Sequence, residues 1–117
     1  MAYVEIFMAP VPSDRRADYE AACAKMAAHH KACGALEVTE CWGTDVPDGK
    51  LTSFPMAVKL EDGETVVAGW IRWPSKKVRD AAMEKTMSDP SLHAVFAAMP
   101  LDPKRLIHAG FDEMMVV

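Results

Sequence analysis

The chain has 117 residues, of which 50% are hydrophobic and 26% charged, and its formal net charge is −4. This length and composition are typical of one globular domain with its own hydrophobic core, and we expect a single domain over residues 1–117. The acidic balance argues against binding to a nucleic-acid backbone. The lack of an apolar run of about 20 residues argues against a membrane span.

The cysteines and the first residues indicate a cytoplasmic protein without a metal or a cofactor. Cys23, Cys33 and Cys41 are odd in number and form no Cys-x-x-Cys pair, so neither a disulfide framework nor a zinc site is expected. The opening segment MAYVEIFMAP has an acidic residue in its apolar stretch and no basic leader, and it is interpreted as a strand rather than a signal peptide. Phosphate-binding glycine loops and nucleophile elbows are absent from the sequence.

The first part of the chain predicts a strand, a long helix and a second strand. Residues 3–8 alternate in polarity before the breaker APVP and predict strand one. An alanine-rich stretch from about 14 to 33 contains no proline or glycine and predicts a helix, with Ser13 as its N-cap and Gly34 as its stop. Residues 36–42 alternate again and predict strand two.

The rest of the chain predicts a strand, two helices and a last strand. Residues 65–73 are rich in valine, isoleucine and tryptophan and predict strand three, which WPS ends. A helix is expected at about 76–87. A short helix follows, which begins with Pro90 after the capping residue Asp89. The last strand is expected at residues 106–116.

The order of these elements predicts an α+β protein with the ferredoxin-like βαββαβ fold and a four-stranded antiparallel sheet. Two helices cover one face of such a sheet and leave the opposite face, here called the bare face, without cover. The alternation predicts that the bare face carries Tyr3, Phe7, Trp42 and Trp70, which is too aromatic a surface to remain exposed. We therefore expect a homodimer in which two bare faces meet and the two sheets form a dimeric α/β barrel.

The connection between strands two and three, residues 45–64, is much longer than a plain hairpin and is here called the flap. Pro55 removes a backbone donor and excludes a central strand. Residues 57–60 suit either a short edge strand or a helical turn. The flap, which carries Phe54 and other apolar side chains, is either a lid over a ligand site or an arm at the dimer interface.

Two separated blocks of the sequence are similar to a known family. The segment GALEVTECWGTDVPDGKLTSFPMAVKLEDGETVVAGWI resembles the signature of the small bacterial YbaA-like proteins of undetermined function. The segments SDPSL and MPLDPKRLIHAGF resemble that family's C-terminal signature. The resemblance covers almost the whole chain and implies the dimeric α/β-barrel superfamily, in agreement with the order of the elements. It brings no established reaction.

Four residues are candidates for catalysis. Glu5, Arg72 and His108 would converge on the barrel face if strand one lies between strand three and the last strand, and could then move a proton or hold an anionic substrate. The alternative is an interfacial ion-pair network. Glu40 is in phase with the apolar residues of strand two, where burial would raise its pKa and make it a base. Its alternative is a strand-end carboxylate bonded to backbone amides.

Three aromatic residues are candidates for contacting a ligand: Trp42, Phe54 and Trp70. Members of the superfamily include cofactor-independent oxygenases that act on aromatic compounds, which is an analogy of fold. Two hypotheses follow, a protein that binds an aromatic molecule or oxygenates it, and a non-catalytic dimer with an interaction or regulatory role. An open pocket that contains Glu40 or His108 would favour the first, and a closed, well-filled cavity the second.

Overall fold

The structure, a computed structural model, describes residues 1–117. Its elements are β1 Tyr3–Pro12, α1 Arg16–Ala32, β2 Glu37–Trp42, α2 Phe54–Ala57, β3 Glu64–Trp73, α3 Lys76–Met87, α4 Pro90–Ala98 and β4 Ile107–Asp112. One turn of 3₁₀-helix, Ser13–Arg15, leads into α1. None of the helices has the length and apolar character that a membrane crossing requires.

The four strands form one antiparallel sheet in the order β2-β3-β1-β4, so strand one lies between strand three and the last strand, as predicted. β1 pairs with β3 over its whole length, from Tyr3 opposite Trp73 to Pro12 opposite Glu64. β4 pairs only with residues 3–8 of β1. The order of strands and helices is that of the ferredoxin-like fold, which confirms the predicted fold class.

β1 continues four residues beyond its predicted end at Met8, through two prolines. Pairing with β4 stops at Met8, so the rest of that edge faces no strand. The amide of Ser13 donates to the carbonyl of Gly63 at 2.8 Å, and hydrogen-bonding groups alternate in direction along a strand. Pro10 and Pro12 are therefore directed to the free edge, where a missing N–H interrupts no ladder.

Side-chain caps begin three of the helices. Ser53, Ser75 and Asp89 accept hydrogen bonds from backbone N–H groups in the first turns of α2, α3 and α4. Ser13, the predicted cap of α1, instead shares a hydrogen bond of 2.7 Å with the hydroxyl of Thr65 on β3. The long helix therefore begins after a 3₁₀ turn without a side-chain cap.

The register of the sheet decides which side chains face the helices, because alternate residues of paired strands share a face. Tyr3 lies opposite Trp73, and both are buried in a cluster with Ala82 of α3. Val11 is buried in a second cluster with Tyr19 of α1. The odd-numbered residues of β1 therefore face the helices, and the even-numbered residues lie on the bare face.

The prediction that four aromatic residues share the bare face was wrong. Trp70 lies opposite Ile6 and is on that face. Tyr3 and Phe7 are odd-numbered residues of β1, and Trp42 packs against the cluster between sheet and helices. Alternation along one strand leaves its phase relative to the neighbouring strands undetermined, and only the register fixes that phase.

The bare face is nevertheless apolar. Its exposed large hydrophobic side chains are Ile6, Trp70, Ile107 and Phe111, which are 37–50% exposed. Arg72 lies on the same face, opposite Val4. A contiguous apolar surface of this kind is a common mark of an interaction site.

The flap contains a single helical turn, α2, and no edge strand. Val58 is completely buried, whereas Leu51 is 96% and Phe54 51% exposed. The end of the flap is held by Arg105, which donates to both carboxylate oxygens of Glu64 at 2.7 Å. The flap is thus ordered and fixed at its C-terminal end, while several of its apolar side chains face outward.

Candidate functional site

A cavity of about 620 Å³ lies between the helices and the sheet. Fifteen of its 21 lining residues are hydrophobic, and His93, Phe96 and His108 on its lining are exposed. The lining consists of Glu5, Phe7, Tyr19, Cys23, Met26, Ala27, His30, Val38, Glu40, Ile71, Met83, Thr86, Met87, Leu92, His93, Phe96, Ala97, Met99, Leu101, Leu106 and His108. Sites for small organic molecules have roughly 300–1,000 Å³, so this cavity has a suitable size.

Glu40 lies on β2 opposite Gly69 and lines the cavity. The hydroxyl of Tyr19 donates to its Oε2 at 3.0 Å. Loss of water around the carboxyl raises the pKa of Glu40, an effect that outweighs the lowering by hydrogen bonds from Tyr19 and Cys23. The residue is exposed as a whole, but its hydrogen bond with Tyr19 is partly buried, so the carboxylate lies where the cavity meets solvent and can contact a bound molecule. An accessible carboxylate with a raised pKa can act as a general base.

Two groups of α1 surround the Glu40 carboxylate and remain protonated. Burial and the negative charge of Glu40 raise the pKa of Tyr19 far above its ordinary value, so its hydroxyl is a hydrogen-bond donor. Burial, together with Glu40, raises the pKa of Cys23 to about 12. A thiol with such a pKa forms little thiolate near neutral pH and is a poor nucleophile. The chemistry of this end of the cavity therefore belongs to the carboxylate.

Glu5 is the second carboxylate of the cavity and is fixed by its neighbours. Nε1 of Trp73 donates to Oε1 of Glu5 at 2.8 Å. The guanidinium of Arg79 on α3 lies 3.7 Å from Oε2. Arg79 also donates to the hydroxyl of Tyr3 at 2.9 Å and lies 5.0 Å from the centroid of its ring. This network orients the Glu5 carboxylate without closing it off from the cavity.

Three histidines line the cavity: His93 and His108, which are exposed, and His30, which is half-buried. His108 lies on β4 opposite Phe7 and is exposed. His30 lies on α1, where burial and the neighbouring His29 lower its pKa to about 4. The ring of His30 meets the ring of Trp73 edge-on at 6.0 Å between centroids. His30 is therefore neutral at pH 7.

The predicted group of Glu5, Arg72 and His108 is only partly brought together. Glu5 and His108 both line the cavity, on the helix side of the sheet. Arg72 lies opposite Val4 on the bare face and forms a two-point ion pair with Glu113 at 2.6 and 2.8 Å. The prediction that the three residues share one face, the barrel face, was wrong. Arg72 lies on that face, but the phases of β1 and β4 were assigned one residue out, so Glu5 and His108 face the helices instead.

The three aromatic candidates for ligand contact lie outside the cavity lining. Trp42 packs against the core, with the guanidinium of Arg16 at 5.1 Å from its ring centroid. Trp70 is on the bare face, and Phe54 is in the flap. No residue between 45 and 63 lines the cavity, so the flap does not cover it.

Sequence reasoning missed the contribution of α1 to the site. Tyr19, Met26 and His30 recur at helical spacing along the predicted helix, and no role in a site was assigned to them or to Cys23. The structure places all four on the cavity. The available signal was the presence of a hydroxyl and an imidazole within an otherwise apolar stripe, because buried polar groups need partners.

Two solved structures define the class of the fold. SnoaB, a cofactor-independent oxygenase from Streptomyces nogalater, matches with a TM-score of 0.61 and 15% identity over 99% of this chain and 96% of its own. Rv0793 from Mycobacterium tuberculosis matches with a TM-score of 0.62 and 14% identity over 99% and 98%. The protein therefore has the ferredoxin-like fold of the dimeric α/β-barrel type, and at these identities the likeness concerns the fold alone.

The family follows from the sequence. Residues 2–103 match the family described as "Protein of unknown function (DUF1428)". The uncharacterized protein YbaA of Escherichia coli strain K12 is 50% identical over 115 residues, which are 98% of each chain. The protein of the same name from Shigella flexneri matches to the same extent. The chain belongs to the DUF1428 family, and its resemblance to the YbaA-like proteins is confirmed.

Proposed function

We propose that this protein binds a small, mainly apolar molecule, an aromatic compound in particular, between its sheet and its helices, and that Glu40 abstracts a proton from it. The observation that carries the proposal is the position of a carboxylate with raised pKa on an apolar cavity of about 620 Å³. A carboxylate of this kind is a stronger base than one in free solution, and the apolar surroundings favour an aromatic body.

The hydrogen bonding of Glu40 suits this role. Tyr19 donates to Oε2 of the carboxylate, and the thiol of Cys23 is a second, weaker donor to the same group. A carboxylate has room for more acceptor contacts than these two, so a lone pair remains for the substrate proton. Removal of a proton from the carbon next to a carbonyl gives an enolate, and removal of the hydroxyl proton of a phenol gives a phenolate. Such an anion is the intermediate of a simple isomerisation, and it is also electron-rich enough to reduce molecular oxygen without a cofactor. SnoaB, which shares the fold, is by name a cofactor-independent oxygenase.

The alternative hypothesis of a non-catalytic dimer would be favoured by a closed, filled interior. The cavity instead includes both Glu40 and His108, and both are exposed. Open access to a carboxylate favours the binding and catalytic hypothesis over the alternative. The exposed apolar side chains of the bare face still support self-association, and we include a homodimer through that face in the proposal.

Localisation in the cytoplasm is the remaining part of the proposal. The three cysteines are free, and Cys41 is exposed. Exposed thiols are retained most readily in a reducing compartment. Fractionation of cells into cytoplasmic and periplasmic material, followed by detection of the protein, would test this inference directly. Recovery mainly with the periplasmic material would contradict it.

Proton abstraction can be measured without knowledge of the natural substrate. Aryl ketones and aryl diketones with an acidic C–H would be incubated with the protein in deuterium oxide, and exchange would be followed by NMR. We expect the wild type to accelerate exchange for a member of the panel, and Glu40→Gln to slow that exchange by about 100-fold or more, as for the loss of a general base. Glu84→Gln, an exposed residue of α3, is the matched control.

The outcomes separate the hypotheses. Exchange that persists in Glu40→Gln would assign the base to another residue, with His108 as the next candidate on the cavity. Lack of exchange for every compound with the wild type would favour the non-catalytic dimer. Equal losses in Glu40→Gln and Glu84→Gln would indicate a general effect of the substitution on the protein.

A further inference from the structure

The charged groups of the cavity limit the charge of its ligand. The lining includes two carboxylates, Glu5 and Glu40, and no lysine or arginine. His30, also on the lining, is neutral near pH 7 because burial lowers its pKa to about 4. A carboxylate, sulfate or phosphate group on the ligand would therefore meet two acidic side chains on the lining, whereas the nearest permanent cation, Arg79, lies outside the lining and is paired with Glu5. Such an anion would lose its hydration without a compensating partner.

Glu5 retains hydrogen-bonding capacity on one oxygen. Its Oε1 accepts from Trp73, whereas its Oε2 lies 3.7 Å from the nearest nitrogen of Arg79, which is too far for a hydrogen bond. The guanidinium is held elsewhere, by the hydroxyl of Tyr3 at 2.9 Å and the carboxylate of Asp80 at 3.0 Å. The Glu5 side chain is 14% exposed, and its Oε2 is not among the fully buried polar atoms, so this oxygen is accessible to a molecule in the cavity.

The two carboxylates lie at different points along the cavity. Glu40 on β2 is opposite Gly69, and Glu5 on β1 is opposite Ile71, so β3 separates them. Two strand spacings across the sheet and two residues along it place their Cα atoms roughly 12 Å apart. A ligand that reaches both side chains therefore needs the length of about two fused rings with a short polar arm.

We propose that the cavity selects an aromatic ligand that carries a hydrogen-bond donor, a protonated amine or a hydroxyl, and that Oε2 of Glu5 binds this donor. Ligands with an anionic group are excluded by the same carboxylates. The inference rests on the proposed function, because it assigns a ligand class to the same cavity. It adds a second polar contact, distinct from the base Glu40, that determines specificity.

Methionines provide both the apolar wall and a means of observing binding. Met26, Met83, Met87 and Met99 line the cavity. Thioether sulfur makes favourable contacts with aromatic rings, and the flexible side chain adapts to their shape. The five other methionines lie outside the lining: Met1, Met8, Met56, Met114 and Met115. Labelled methionine methyl groups therefore divide into four reporters of the cavity and five internal references.

The test compares three naphthalene derivatives that differ in charge. Naphthylethylamine, naphthylethanol and naphthylacetate would be titrated into protein with ¹³C-labelled methionine methyl groups, at about pH 8, where a free imidazole is neutral. We expect the amine and the alcohol to shift the four cavity methyl signals and to leave the five references in place. We expect naphthylacetate to bind at least about tenfold more weakly than the amine, because its carboxylate would lose favourable hydration in the cavity without gaining a hydrogen-bonding partner.

Each result has a distinct meaning. Tight binding of the amine, the alcohol or both supports a donor on the ligand, and the stronger of the two identifies which donor is preferred. Naphthylacetate binding as tightly as the amine would overturn the ligand class and leave the proposed function standing. Unchanged cavity signals with all three compounds would overturn this inference and count against the proposed function as well.

A substitution tests the role of Glu5 itself. Glu5→Gln keeps an oxygen that can accept from Trp73 but removes the negative charge. We expect it to weaken binding of the amine about tenfold and to change binding of the alcohol less than about threefold. Glu84→Gln is the matched control, and the five reference methyl signals show whether the fold is retained. Unaltered amine binding in Glu5→Gln would contradict the assignment of Glu5.

Discussion

At the scale of single residues, His30 couples folding stability to pH. Its imidazole is packed against Trp73, and its Nδ1 is buried without a hydrogen-bond partner. Burial, assisted by His29, lowers the pKa of His30 from 6.5 to about 4. In the unfolded chain the His30 imidazole takes up a proton below about pH 6.5, whereas in the folded protein it does so only at about pH 4. The unfolded state is therefore favoured progressively as the pH falls through this window.

We expect His30 to reduce the free energy of unfolding by roughly 2 kcal/mol between about pH 6.5 and about pH 4, allowing for its partial exposure. The stabilising contribution is fully present above about pH 6.5. His30→Gln does not titrate, so most of this pH dependence should disappear. Urea unfolding followed by tryptophan fluorescence at a series of pH values would measure it.

The control is His93→Gln, because His93 is exposed on α4. This variant should keep the pH dependence of the wild type. Glu64 and Glu113, whose pKa values arginine partners lower, begin to matter only below about pH 4.5 and so overlap the acidic end of the window alone. The raised pKa of Glu40 acts in the opposite direction, because its folded form takes up a proton more readily. A pH dependence that is the same in His30→Gln and in the wild type would show that other groups take up the protons.

Gly110 is a second residue with a specific steric role. A Cβ added at this position would overlap the hydroxyl and ring of Tyr3 on the neighbouring strand. Tyr3 is held by its hydrogen bond to Arg79 and cannot move away freely. We expect Gly110→Ala to lower the free energy of unfolding by about 1–3 kcal/mol, as for overpacking in a core. Thermal or urea unfolding would measure the loss.

A double-mutant cycle would identify the cause of that loss. Tyr3→Leu removes the atoms that the new methyl group meets, so Gly110→Ala should cost clearly less in the Tyr3→Leu background than in the wild type. Strictly additive effects would contradict a steric clash between these two residues and would point to backbone strain in β4 instead.

At the scale of secondary-structure elements, Arg105 determines the order of the flap. Its guanidinium donates to both oxygens of Glu64, to Asp102 at 3.0 Å and to the carbonyl of Lys59 at 3.1 Å. The side chain is 17% exposed. A planar group with fixed donors can serve these partners at once, whereas a lysine ammonium cannot. The flap is therefore tied to the turn before β4 through a single side chain.

We expect Arg105→Lys to lower stability by about 1–2 kcal/mol and to increase proteolytic cleavage within residues 45–63. The matched control is Arg15→Lys, which alters an exposed pair with Asp18 at 3.2 Å and should have little effect. Cleavage sites would be identified by mass spectrometry after limited proteolysis. Equal cleavage of both variants, at the rate of the wild type, would rule out this role of Arg105.

Element types and their order were predictable because each depends on local periodicity and on nearby breakers. Ser75, Asp89 and Pro90 mark the starts of α3 and α4 in the sequence and in the structure. The faces of the strands were harder to predict. Trp70 and Trp73 are three residues apart and so lie on opposite faces of β3, and either phase of the strand would have placed a tryptophan inside.

The candidate site was predictable only in part, for the same physical reason. Glu40 was recognised because its phase is set within β2 by the apolar residues beside it. Arg72 lies on the predicted face, whereas Glu5 and His108 were misplaced, because only the register fixes the phases of β1 and β4 relative to β3. His30 and Tyr19 lie on a helix, and their role depends on a space between helix and sheet that no periodicity reveals. Cavities arise from the packing of whole elements, which local patterns do not encode.

At the scale of the whole molecule, the bare face predicts self-association. Ile6, Trp70, Ile107 and Phe111 are exposed together on it, and burying such side chains against a second copy would be favourable. We expect light scattering in dilute solution to give twice the chain mass of 12.9 kDa. Ile107→Glu should convert the dimer to a monomer, because it would place an unpaired charge in the interface.

Two further variants complete this test. Ala21→Glu introduces the same charge on an exposed position of α1 and should leave the dimer intact. Leu51→Glu, on the outward side of the flap, separates the two roles considered for that segment, because loss of the dimer would identify the flap as an interface arm. A wild-type mass of 12.9 kDa would refute the homodimer altogether.

The two prolines at the end of β1 have a consequence for behaviour at high protein concentration. Beyond Met8 the strand has no strand partner on its β4 side, and an edge of this kind can recruit strands from other chains if the segments that bury it move away. Pro10 and Pro12 are directed to that edge and have no amide hydrogen to offer. An incoming strand would find no backbone donor between Met8 and the end of the strand, because Ala9 and Val11 direct their amides to β3. In a crowded cell, this part of the sheet is therefore a poor seed for fibrils, even though the strand that carries it is central to the fold.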